Sequence, residues 1–125
     1  MMMRRSILYA VVTLFLVSLT CSYAQVSTPI TGDKPDKVLF AKAMNAMFES
    51  RYADSRTLLA DLIKSYPDSD YVPGAKLSIG DAWCAEGNLR RAVREYQGFV
   101  TFFPNRPEAA ATRLKIEAIQ KRIKM

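Results

Sequence analysis

One pattern is written twice in this chain. GDAWCAEGNLRRAVREYQGFVTFFP, Gly80 to Pro104, is echoed 37 residues earlier in KAMNAMFESRYADSRTLLADLIKSYP, Lys42 to Pro67. Small residues, aromatics and a closing proline keep their places while most other positions change. A fixed period of about 20 to 50 residues marks units that cannot bury their apolar faces alone and therefore stack on one another.

Each copy reads as two helices. Apolar residues Leu39, Ala43, Ala46 and Met47 recur at spacings of three and four, predicting a helix from Pro35 to about Ser50, with Asp33 or Asp36 as its N-cap. After a break at Ser50-Arg51, a second helix from about Tyr52 to Ser65 is expected to bury Leu58, Leu59, Leu62 and Ile63 and to stop at Tyr66-Pro67. A third, about Val72 to Glu86, ends at Gly87-Asn88, a pair suited to the left-handed backbone that closes helices. The fourth, about Leu89 to Phe103, carries Val93, Tyr96, Phe99 and Val100; a fifth, Glu108 to about Lys124, follows Pro104 and Pro107. No window alternates with the period of two that strands require, so the fold class is all-α.

The second copy resembles the tetratricopeptide unit. Ile79 and Gly80 pair a large apolar residue with a very small one where the partner helix crosses closest, and Trp83 fills the space beyond. Leu89, Ala92, Tyr96 and Phe99 answer from the next helix, and Pro104 ends the unit. Leu39, Ala43, Tyr52, Ser55, Leu59, Leu62 and Pro67 take the corresponding roles in the first copy, with Lys42 and Ala46 replacing the apolar and aromatic residues. The expected architecture is two helical hairpins plus a C-terminal capping helix. The spacing of 37 and the connectors YPDSDYV and FPNRP narrow the resemblance to repeats of bacterial envelope proteins: the outer-membrane assembly lipoprotein BamD and the periplasmic coordinator CpoB. That resemblance implies a protein-binding scaffold, with outer-membrane proteins or their assembly machinery as partners.

The N-terminal segment agrees with an envelope address. Arg4 and Arg5 precede an uncharged run from Ile7 to Leu19, too short to span a bilayer comfortably, so residues 1–24 read as an export signal. Ser22-Tyr23-Ala24 offers an ordinary processing site and is the preferred reading; Cys21 offers the alternative of a lipid-bearing first residue. The location is therefore periplasmic, with attachment to the outer membrane only if Cys21 is lipidated. Gln25 to Lys34, rich in turn formers, reads as a flexible linker, which leaves residues 35–125 for the repeat domain.

In stacked repeats the first helix of each hairpin lines the concave side. Helical spacing then assigns a peptide-binding wall to Phe40, Met44, Met47 and Phe48, then Leu77, Asp81, Cys84 and Ala85, and finally Leu114, Ala118, Lys121 and Arg122. Flexible Met and flat Phe side chains suit varied apolar sequences, although such a stripe is equally the mark of a core. Lys121 and Arg122 are placed to hold a carboxylate such as a chain terminus. In the fifth helix Thr112, Ile116, Ile119 and Ile123 form the stripe that packs on the preceding pair. Leu114 lies opposite, open to a ligand, to a second copy in a homodimer, or to solvent. Arg90, Arg91 and Arg94 are expected on a solvated face.

Chemistry is sparsely represented. Histidine is absent, which removes Ser-His-Asp and Cys-His machinery and the usual zinc sets. Asp81, Glu86 and Glu95 near the repeat junction lack a nucleophile, a glycine-rich loop or metal spacing. No enzyme activity and no cofactor are expected. The net charge of +6 falls to +4 once Arg4 and Arg5 leave with the signal, too little to argue for nucleic acid. Cys84 is then a lone thiol, read as a small hydrophobe.

Overall fold

In the computed structural model, which describes residues 32–125, the chain forms α1 (Pro35–Phe48), α2 (Tyr52–Ser65), α3 (Val72–Ala85), α4 (Leu89–Phe102) and α5 (Pro107–Lys124), with no strand among the described residues. Each helix packs on the next in order, giving an all-α stack of two helical hairpins, α1–α2 and α3–α4, closed by α5. The export signal 1–24, the lipidation candidate Cys21 and most of the linker 25–34 lie outside the described residues.

The two hairpin turns are built alike, bond for bond. At the first, the Ser50 amide donates to the Met47 carbonyl (3.0 Å) and the Arg51 amide to Ala46 (2.8 Å); at the second, Gly87 donates to Cys84 (3.0 Å) and Asn88 to Trp83 (2.9 Å). These bonds satisfy helix-end carbonyls through one left-handed residue, Ser50 at φ 61° or Gly87 at φ 80°. Both copies start the next helix immediately, with Ser55 donating to Arg51 and Ala92 to Asn88, each at 3.0 Å. Asn88 is itself the N-cap of α4, its side chain accepting from the Arg91 amide, and it does not share the left-handed backbone expected of the Gly87-Asn88 pair.

Small residues set the crossings. Ala43 and Ala46 of α1 and Ser55 and Leu59 of α2 are all completely buried. At the second crossing a Cβ on Gly80 would lie only 2.6 Å from Tyr96 Cε1, so the ring of α4 rests directly on the α3 backbone. Around these crossings sit two cores, one of Ala43, Leu59, Leu62, Val72 and Ala75, the other of Ala92, Val93, Tyr96 and Ile119. Complete burial of Leu59, Leu62 and Phe99 contributes about 1.5–3 kcal/mol each. Leu58 and Ile63, expected inside, are only half-buried, because the α2 stripe that meets α1 is Ser55, Leu59 and Leu62.

The start of α1 departs from expectation. Neither aspartate caps it: Lys34 occupies the N-cap without a side-chain bond, Asp33 pairs with Lys37 at 2.9 Å, and Asp36 accepts from Ser69 Oγ at 2.6 Å. Asp36 thus fastens α1 to the α2–α3 connector, and the Ser69 hydroxyl holds its carboxyl below the usual carboxylate range.

In α5, Thr112 and Ile119 are buried while Ile116 and Ile123 pack against the second core, as the stripe requires. The α4–α5 connector is shorter than the α2–α3 connector, so α3 begins 37 residues after α1 but α5 only 35 after α3. The packed face of α5 keeps the 37-residue spacing all the same, with Thr112 and Ile119 buried 37 residues after buried Ala75 and Ala82.

Candidate peptide-binding groove

Two contacts show which helices stand side by side. Ser78 Oγ of α3 donates to Met44 Sδ of α1 at 3.9 Å, and Lys115 Nζ of α5 donates to Asp81 Oδ1 of α3 at 2.9 Å; both join residues 34 apart. The first helix of each hairpin and the closing helix therefore form one wall, with Met44, Asp81 and Lys115 on it. Residues three, four and seven positions away share a helix face. This adds Phe40, Met47 and Phe48 in α1, Leu77, Cys84 and Ala85 in α3, and Ala111, Ala118 and Arg122 in α5.

The α1 part of the wall divides in two. Phe40 stacks on Tyr71 with ring centroids 5.0 Å apart and would touch a Cβ on Gly74 at 3.5 Å, so it packs α1 against the start of α3. Met44 packs against the first core. Met47 is half-buried, and Phe48 is 92% exposed at the end of the helix. In α3, Leu77 and Cys84 are half-buried against the second core and Ala85 is exposed.

Asp81 faces the wall but is not free. It accepts from the Tyr96 phenol as well as from Lys115. Burial of Tyr96, reinforced by the Asp81 carboxylate, pushes the phenol well above its ordinary pKa. The hydroxyl therefore stays protonated and donates. The other two carboxylates near the junction lie apart from this site: Glu86 pairs with Arg56 at 2.7 Å, and Glu95 is half-buried on α4.

The α5 part of the wall divides as well. Ala118 and Arg122 are exposed and share the Lys115 side, whereas Leu114 and Lys121 lie on the face turned away from both α4 and α3. Leu114 and Lys121 stand 37 residues after Leu77 and Cys84, which pack against the second core, whereas these two are exposed. Lys115, the residue that touches α3, stands 37 residues after Ser78, which touches α1, so the repeat spacing itself holds the signal that finds it.

Outside the wall, Arg91 is not simply solvated. The guanidinium carbons of Arg56 and Arg91 lie 3.6 Å and 4.5 Å from the Trp83 ring centroid, binding α2, α3 and α4 through cation–π contacts. A shallow depression of about 480 Å³ lined by Glu86, Gly87, Asn88, Leu89, Arg90 and Ile123 sits at the α3–α4 turn, away from the wall residues.

These features define the class: a helical-hairpin repeat protein with one continuous wall of mixed apolar and basic character. Neither a protein family profile nor any curated protein matches the chain.

Proposed function

We propose that the chain is a non-enzymatic protein-binding scaffold of the bacterial cell envelope, resembling the outer-membrane assembly component BamD. The observation that carries the binding role is Phe48, 92% exposed beside half-buried Met47 at the open end of the wall. A large aromatic at that exposure contributes little to folding and is free to meet a partner. The partner is a polypeptide, in keeping with outer-membrane proteins or their assembly machinery. A soluble, CpoB-like periplasmic coordinator is the alternative, favoured by the processing site Ser22-Tyr23-Ala24.

Met47→Glu tests the binding role. Crosslinking in the native cell should lose its captured protein while the melting temperature holds; an unfolded variant would instead make Met47 part of the core. Palmitate labelling separates the two envelope readings, since label on Cys21 supports the lipoprotein and its absence the soluble coordinator.

A further inference from the structure

The wall changes character from one edge to the other. Its α1 edge, Phe40, Met44, Met47 and Phe48, carries no charge, whereas its α5 edge carries Lys115 and Arg122. The imbalance extends beyond the wall: residues 89–125 hold nine Lys plus Arg against three Asp plus Glu, and residues 33–88 hold seven against nine. Two carboxylates near the α5 edge are already engaged. Glu108, seven residues before Lys115, is engaged by Arg106 at 3.4 Å, and Asp81 holds Lys115 itself. Arg122 has no ion-pair partner among the described residues and is exposed.

We propose that the wall takes an acidic peptide bearing an apolar side chain, and that Asp81 is a stand-in for the peptide's carboxylate. This rests on the binding role proposed above and names the chemistry of the partner. The apolar side chain lies against Met47 and Phe48, and a ligand carboxylate takes Lys115 from Asp81 with Arg122 beside it. Two features make the exchange easy. Lys115 and Asp81 keep 55% and 46% of their side-chain surface in solvent, and so exposed a pair is weak. Asp81 is also not orphaned when Lys115 leaves, since the Tyr96 phenol continues to donate to it.

The test uses three synthetic twelve-residue peptides with blocked ends, each carrying one Trp and one Phe and, in turn, four Asp, four Lys or four Ser. Binding to the full chain is read by fluorescence anisotropy. The Asp peptide should bind best and weaken with added salt. Asp81→Asn, which keeps an acceptor for Tyr96, should bind it up to about fivefold tighter, and Lys115→Met weaker by a similar factor. The double variant should match Lys115→Met alone. Equal binding of the three peptides, or no gain in Asp81→Asn with its melting temperature preserved, overturns the acidic preference. If Met47→Glu then still abolishes binding of all three, the groove itself survives; if it abolishes none, the groove fails too. A dimer in sedimentation that Phe48→Ala dissociates would assign the wall to a second copy and also overturn the proposal.

Discussion

Ser50 and Gly87 occupy the same position in two hairpin turns 37 residues apart, and both hold a left-handed backbone, at φ 61° and 80°. The two bonds that close each turn have the same pattern, from Ser50 and Arg51 in one and from Gly87 and Asn88 in the other. Only glycine adopts this conformation without a Cβ penalty, so Ser50 stores strain of about 1–2 kcal/mol. Ser50→Gly should therefore raise the melting temperature, by roughly 4–8 °C for each kcal/mol recovered in a domain of this size. Gly87→Ala should lower it by a comparable amount. Thermal unfolding followed by circular dichroism checks both.

The Gly80 crossing gives a sterically explicit expectation. Alanine there places a Cβ 2.6 Å from Tyr96 Cε1, and the ring is almost completely buried, so either ring or backbone must shift. Gly80→Ala should destabilise by about 1–3 kcal/mol, the usual cost of overpacking. Denaturant titration measures it, and Tyr96→Leu in the same background should recover part of the loss.

Ser55 stands where Ala92 stands in the second hairpin, and its hydroxyl oxygen is buried with no hydrogen-bond partner. A buried unpaired hydroxyl costs about 1–3 kcal/mol. Ser55→Ala keeps the small volume the crossing needs and removes that cost. It should stabilise the fold by about 1 kcal/mol, seen as a higher denaturant midpoint with an unchanged slope.

Tyr96 sets an alkaline limit. Its pKa is raised in the folded state, first by burial and then by the hydrogen bond to Asp81, while in the unfolded chain it returns to about 10. Below pH 10 the phenol is protonated in both states and its contribution to stability is intact. Above that value the unfolded state releases the proton and the folded state does not, so stability falls as pH rises. Equilibrium unfolding between pH 9 and roughly 11.5 should show this decline, smaller in Tyr96→Phe. Tyrosinate absorbance from Tyr96 should appear together with loss of helical signal.

Much of the architecture was legible because its signals are local. Proline and glycine punctuate the chain, apolar residues recur at three and four, and the paired small residues at Ala43 and Gly80 mark crossings whichever partner arrives. Helix boundaries accordingly fall within two residues of expectation at every end. The helix positions of the candidate wall follow from the same repeat, with Phe40, Met44, Met47 and Phe48 standing 37 residues before Leu77, Asp81, Cys84 and Ala85. Leu114 and Lys121 keep the same spacing and are exposed opposite the buried stripe of α5.

The sequence by itself determined that this chain forms hairpins of helices, where each turns, and which small residues let them approach. Those properties depend on backbone preference and on periodicity within one or two turns of helix. Only the tertiary structure decided that Phe40 is occupied by Tyr71, that Arg91 lies over Trp83, and that Lys115 meets Asp81. Such pairings join separate helices, and each turn of helix rotates a side chain by about 100° per residue. Which groups meet therefore depends on how the helices are set against one another, while every local signal stays unchanged.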